Sequence, residues 1–264
     1  MDNVKITTTD GFTLDADYYP GTSNRGIVFA HGAGSHKDET TLDNRIALEL
    51  QSDGFHSLVF DFRGHGKSSG SSIHDFLIAG ELCDLTAAVA YIRSRGVARL
   101  GLAGGSLGGT IAALYAGGHP EEVEALVLGN PVLSYHTCFF EPTTRASAIF
   151  FAQVHRVLAK HESFTFPWNG FKVGRAIFDE MREKGREYDP VDALHRYPGP
   201  LLIMHGDEDA AVAHADSEKH FARLPHTHKR FVTIHGGDHA FKTEPHQTEV
   251  VKITSSFFRE VMPA

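Results

Sequence analysis

The pentapeptide Gly104-Gly105-Ser106-Leu107-Gly108 carries the strongest chemical signal in this chain. It follows a short apolar run, Leu100-Gly101-Leu102-Ala103, and opens a stretch from Leu107 to Gly117 that reads as a helix. A serine on a sharp strand-to-helix turn is forced into strained backbone geometry, which flanking glycines tolerate because they lack a Cβ. Its hydroxyl then projects above the sheet, and the helix N-terminus points at an approaching carbonyl. Such a serine is a nucleophile only if a histidine takes its proton and an acid holds that histidine in one tautomer. The chain has 18 histidines, so metal binding must be weighed as well. It contains neither an H-E-x-x-H pair nor a C-x-x-C, and His226 and His228 lie in a polar stretch between helix and strand signals. The histidines therefore read mostly as surface or hydrogen-bonded structural residues, and no metal or other cofactor is expected.

The elements that must position Ser106 alternate along the chain. Val4–Thr8 and Thr13–Tyr19 flank the turn dipeptide Asp10-Gly11 and predict an edge hairpin. Buried-strand runs follow at Gly26–Ala30, Ser57–Phe60, Leu100–Ala103, Ala125–Leu128 and Pro200–Met204, with a last strand at Arg230–Ile234. Helices are predicted near Asn44–Ser52, Leu77–Ile92, Leu107–Gly117, Ala215–Leu224 and Gln247–Val261. This alternation implies an α/β fold with a mostly parallel central sheet and helices on both faces. It halts between Ser134 and Pro190, a stretch holding 11 of the chain's 27 aromatic residues. A structureless loop of that length is anomalous in a compact domain. The expected organisation is a core of residues 1–133 and 191–264 with an inserted helical cap at 134–190.

The net charge of −8 and pI near 6.1 argue against nucleic acid or an anionic membrane surface as partner, since both require a basic face. Met1–Asp10 has no apolar core of a signal peptide, and no apolar run is long enough to span a bilayer. The two cysteines, Cys83 and Cys138, imply no disulfide framework, and Cys83 reads as a small buried residue on a helix. A cytoplasmic protein acting on a small molecule is expected, with a homodimer left open.

The chain resembles the α/β-hydrolase family over nearly its whole length. Besides the serine turn, the resemblance rests on His31-Gly32-Ala33-Gly34, Asp61-Phe62-Arg63-Gly64-His65-Gly66-Lys67-Ser68, His205-Gly206-Asp207-Glu208-Asp209-Ala210-Ala211-Val212 and Gly236-Gly237-Asp238-His239. Its layout is most similar to small carboxylesterases of the cinnamoyl and feruloyl esterase type. The resemblance implies the chain order serine, acid, histidine. Asp207 and Asp209 compete for the acid. The family's G-x-x-D-x-x-V pattern falls on Asp209, leaving Asp207 as a turn residue capping its own backbone. His235, His239 and His246 compete for the base. His235 belongs to the last strand positions and His246 opens the last helix, whereas His239 lies in a glycine-bearing loop that can swing over the sheet edge. Two backbone N–H groups should meet the oxyanion, from Leu107 and from Ala33. His31 then anchors that loop, and His65 is a weaker candidate at the pocket rim. Aspartate stands at this turn in haloalkane dehalogenases and epoxide hydrolases of the fold, and cysteine in dienelactone hydrolases; here it is Ser106.

The resulting expectation is a serine carboxylesterase with the triad Ser106, Asp209 and His239, working through an acyl-enzyme. Trp168, Phe139 and Phe140 of the insertion are its substrate-binding candidates. A peptidase of the same fold would need an amine-binding acid, for which Glu141 is the candidate. An acyl-coenzyme A thioesterase would need a basic rim that the mixed charges of the insertion do not supply. A catalytically idle binding protein would need a broken triad.

Overall fold

Side-chain alternation along the strands sorts the apolar residues into two cores, one on each face of a single sheet. The computed structural model describes residues 1–39 and 41–264. Its strands are β1 (Asp2–Thr7), β2 (Thr13–Tyr19), β3 (Arg25–Ala30), β4 (His56–Phe60), β5 (Arg99–Gly105), β6 (Val123–Gly129), β7 (Ser163–Thr165), β8 (Lys172–Gly174), β9 (Leu201–Gly206) and β10 (Lys229–Ile234). Eight of them form one sheet in the order β1-β2-β4-β3-β5-β6-β9-β10, while β7 and β8 pair only with each other. The opening hairpin is antiparallel at the edge, and every pair from β4 to β10 is parallel.

The helices are α1 (Thr41–Gln51), α2 (Ile78–Ser94), α3 (Ser106–Gly118), α4 (Arg145–Leu158), α5 (Ala176–Lys184), α6 (Pro190–Arg196), α7 (His214–Arg223) and α8 (Glu244–Val261). Ile27, Phe29, Ala125 and Val127 face α1 and α8, where they pack on Ile46, Leu50, Phe257 and Phe258. The alternate residues Val28, Ala30, Leu126 and Leu128 face α2, α3 and α6, packing with Leu85, Ile111 and Leu194. Burial of this kind stabilises by roughly 25 cal/mol per Å² of apolar surface. Cys83 is half-buried with its thiol against Asp10 rather than part of either core.

The interrupted stretch is not wholly helical. A π-helical turn at His136–Phe140 leads into α4, then the β7–β8 hairpin, then α5. Thr144 caps α4 by accepting from the Ser147 N–H, and Asp189 caps α6 beside Pro190. Apart from the exposed Trp168, the aromatic residues of this stretch continue the α2/α3 core instead of forming a separate one. Two sets of hydrogen bonds stitch it to loops at the C-terminal sheet edge. Asn169 Nδ2 donates to Gly34 O (2.6 Å), and Thr144 Oγ1 and Ser147 Oγ donate to the carbonyls of Ala210 and Ala211 (both 2.6 Å). On the opposite side, Glu180 of α5 accepts from the N–H of Ile78 (2.6 Å), supplying an α2 cap that α2's own sequence lacks. Among the described residues no helix is long and apolar enough to cross a membrane.

Candidate active site

The serine turn is tighter than the sequence alone indicates, because β5 runs to Gly105 and Ser106 is itself the first residue of α3. Ser106 has φ +52°, in the left-handed region that costs a non-glycine residue energy. The turn closes only because its neighbours are small. A Cβ on Gly32 would lie 2.9 Å from that of Ser106, and one on Gly108 would collide with the carbonyls of Ala30 and His31. Ser106 Oγ lies 2.9 Å from His239 Nε2, and His239 Nδ1 lies 2.7 Å from Asp209 Oδ2. A carboxylate can only accept, so Nδ1 carries the proton and Nε2 is free to accept from the serine hydroxyl.

Asp209 is held from four sides. Its Oδ1 accepts from the N–H groups of Ala211 (2.7 Å) and Val212 (2.9 Å). Its Oδ2 meets His239 and also His205 Nε2, at 3.2 Å. Burial by itself would raise this carboxyl, but the hydrogen bonds from His205, His239 and the Val212 N–H together hold it well below the usual carboxylate range. Asp209 is therefore a permanent anion beside His239. His205 was not singled out by its sequence position. Its Nε2 also lies 3.1 Å from Val212 O, so Nε2 carries the proton shared between that carbonyl and Asp209. A second residue missed by sequence reading is Asn130, buried just after β6 with φ +45°. Its side chain accepts from Gly206 N–H (2.9 Å) and donates to His239 O (2.7 Å), tying β6, β9 and the histidine loop together. The dipeptide Asn130-Pro131 signals a turn, but nothing local indicates what the amide reaches.

Asp207 pairs with a different histidine. Its Oδ2 lies 2.8 Å from His235 Nδ1, and its Oδ1 accepts from Gly236 N–H. Its carboxylate thus reaches across to the next loop in addition to meeting its own backbone N–H. His235 falls just beyond β10 and is exposed, while His246 lies in α8 with Nδ1 against Thr243 Oγ1.

The loop after β3 brings Ala33 to the same cavity as Leu107. The Ala33 N–H makes no hydrogen bond among the described residues, and Leu107 is in the first turn of α3, where helix geometry leaves N–H groups free. Two buried imidazoles hold this loop. His31 Nε2 accepts from Phe62 N–H (3.0 Å) while its Nδ1 reaches Gly32 O (2.9 Å). His65 Nε2 accepts from Gly34 N–H (3.2 Å) while its Nδ1 reaches Arg63 O (3.0 Å). Burial pushes His31 down to about 3 and His65 to about 4, so both are neutral. His65 is accordingly an internal strut, stacked on Phe171, and does not line the pocket rim.

Ser106, Ala33, Leu107 and His239 open into a cavity of about 850 Å³. Phe139 and Trp168 line it, Trp168 while remaining 63% exposed. Phe140 does not; its ring stacks on His155 and packs beneath the Arg182 guanidinium, both within the insertion. Phe150, Phe151, Phe166 and Phe178 contribute to the wall instead. Glu141 is turned out to solvent beside His136. Among the described residues no group of three or more His, Cys, Asp or Glu side chains is set to hold a metal ion.

Known proteins agree with this fold. The family profile of serine aminopeptidase, S33, matches residues 22–169 and 167–246. A non-heme chloroperoxidase from Streptomyces lividans is 27% identical over 83% of this chain and 87% of its own. A monoacylglycerol lipase from Mycolicibacterium smegmatis is 25% identical over 90% of this chain and 89% of its own. Est1E from Butyrivibrio proteoclasticus, solved with ferulic acid bound, superposes with TM-score 0.74 at 21% identity, covering 99% of this chain and 100% of Est1E. With the sheet, the serine turn and the family match in agreement, the chain belongs to the serine aminopeptidase S33 family of α/β hydrolases.

Proposed function

We propose that this hydrolase cleaves carboxylic esters with Ser106 as nucleophile, His239 as base and Asp209 as the acid that orients it. The observation that carries this reading is the unbroken chain from Ser106 Oγ through His239 to Asp209 Oδ2, at 2.9 and 2.7 Å, opening into an aromatic cavity. Ser106 Oγ attacks the ester carbonyl carbon as its proton passes to His239 Nε2. The oxyanion is met by the N–H groups of Ala33 and Leu107. The tetrahedral adduct collapses, breaking the bond to the alcohol oxygen, which takes the proton from Nε2. Water then repeats the sequence on the acyl-enzyme, releasing the acid and restoring Ser106.

Residues 134–190 act as a cap whose Phe139 and Trp168 hold the acyl group, favouring aromatic or short-to-medium acyl chains over long-chain triglycerides. The relatives support ester chemistry, one of them a monoacylglycerol lipase and another a fold neighbour with ferulic acid bound. An amine-binding acid at Glu141 has no access to the cavity, which weighs against the peptidase alternative. The test is a fluorophosphonate probe, expected to label Ser106, followed by a panel of 4-nitrophenyl and methyl hydroxycinnamate esters, thioesters and amides. Esters should lead in kcat/KM, and amides or thioesters turning over faster than matched esters would overturn the reading.

A further inference from the structure

The cavity at Ser106 is larger than the insertion covers, and its wall comes from both cores. Phe139, Phe166, Val173 and Phe178 belong to the core on the α2/α3 face. Ile46, Ala103, Val127, Met204, Phe241 and Val250 belong to the core on the opposite face, between the sheet and α1 and α8. The cavity wall therefore draws on both faces of the sheet, and its two sides are called its arms. The second arm was not foreseen, because the sequence offers only ordinary strand and helix core residues there.

We propose that this second arm binds the alcohol half of the ester, and that the preferred alcohol is an unbranched alkyl chain. The inference rests on the ester-hydrolase reading of the same site. Direction follows from the chemistry of leaving-group departure. His239 Nε2 must hand its proton to the alcohol oxygen, so the alcohol lies on the side of the cavity that His239 itself walls. From His239 that wall continues through Ala240 and Phe241 to Val250 of α8. The acyl group is left with the aromatic arm under the insertion. Shape follows from burial. Ile46, Val127, Met204 and Val250 are nearly inaccessible to solvent although they line the cavity, so the arm is narrow. Among the described residues its inner end offers no strong polar partner, since Thr254 Oγ1 already points to the Met204 sulfur at 3.8 Å, while Thr41, Asp43 and Gln247 line the cavity on α1 and α8. Three residue steps lead from Ala103 to Ser106, about 10 Å at roughly 3.3 Å each, a length suited to a chain of about six to eight carbons.

The experiment measures kcat/KM, which covers the steps in which the alcohol is still attached, for methyl to octyl esters of one hydroxycinnamoyl group. A parallel series varies the acyl chain on 4-nitrophenol. In the wild-type protein, kcat/KM should rise about threefold to fourfold per methylene of the alcohol until the arm is full. Val250→Phe, which fills the arm, should abolish this gradient, and Leu42→Trp at its α1 side should do the same should the first variant not fold. In the acyl series both variants should keep the wild-type ranking. A flat alcohol series in the wild-type protein overturns the proposal. So does a gradient that survives in the folded variants, or a change in acyl ranking in place of alcohol ranking. Absence of turnover with every ester, thioesters or amides being cleaved, would instead overturn the ester reading from which it starts.

Discussion

Two aspartate–histidine pairs stand side by side at the C-terminal end of β9 and β10. Asp207 meets His235 at 2.8 Å and Asp209 meets His239 at 2.7 Å, across 28 and 30 residues of chain. In sequence and in pair geometry they are nearly equivalent. They differ in everything around the pair. The Asp209 side chain is inaccessible and accepts from two backbone N–H groups and a second imidazole. His235 is 86% exposed and, among the described residues, has no hydroxyl on its other nitrogen, whereas His239 has that of Ser106. Pair geometry alone therefore does not mark out the proposed catalytic dyad. What separates the two is exclusion of water, which strengthens the electrostatics, and a third group placed by another strand.

The two dyads differ most sharply at the proposed nucleophile. Ser106→Ala should lower kcat on the order of 10⁶-fold, because the remaining members of the proposed triad cannot act without it. Retention of a tenth of the activity in a clean preparation would remove Ser106 from that role. The dyads themselves come next. Asp209→Asn should cost about 10⁴-fold in kcat by presenting the wrong tautomer to Ser106, while Asp207→Asn should change it by no more than about threefold, as expected of an exposed pair. Steady-state kinetics of the two variants on one ester decides the matter, and the reverse ranking would hand the acid's role to Asp207.

A smaller effect sharpens the contrast between buried and exposed imidazoles. In the unfolded chain His65 takes up a proton below the ordinary histidine value of about 6.5. In the folded protein burial delays this to about 4. Between those values the unfolded state binds more protons, so the His65 contribution destabilises the fold as pH falls. Glu81 and Asp61, whose carboxyls burial raises, act in the opposite direction, so the difference from a variant is the informative quantity. In His65→Gln the loss of unfolding free energy from pH 7 to pH 5 should be smaller than in the wild type by about 2 kcal/mol. Urea denaturation at the two pH values measures this, and equal losses would show that His65 is not held neutral.

Much of this molecule is legible from local rules. The glycine-flanked serine between a buried strand and a helix, the edge hairpin and the strand–helix alternation each depend on neighbours within a few residues, where backbone sterics and periodicity dominate. The predicted strands and helices accordingly lie within a few residues of the observed ones, with Ser106 drawn into α3 as the main refinement. Distant contacts were not legible in the same way. Nothing near Asn130 announces that its amide joins Gly206 to His239, and nothing near His205 announces a hydrogen bond to Asp209. Phe139 and Phe140 are adjacent and identical in type, yet one lines the cavity and the other packs on His155, because the π-helical turn points them apart. Sequence alone determined which residues could do chemistry and roughly where the sheet would carry them. Only tertiary structure decided which carboxylate is dry, which ring faces the cavity and that the cavity wall draws on both faces of the sheet, because burial and cavity shape arise from segments far apart in the chain.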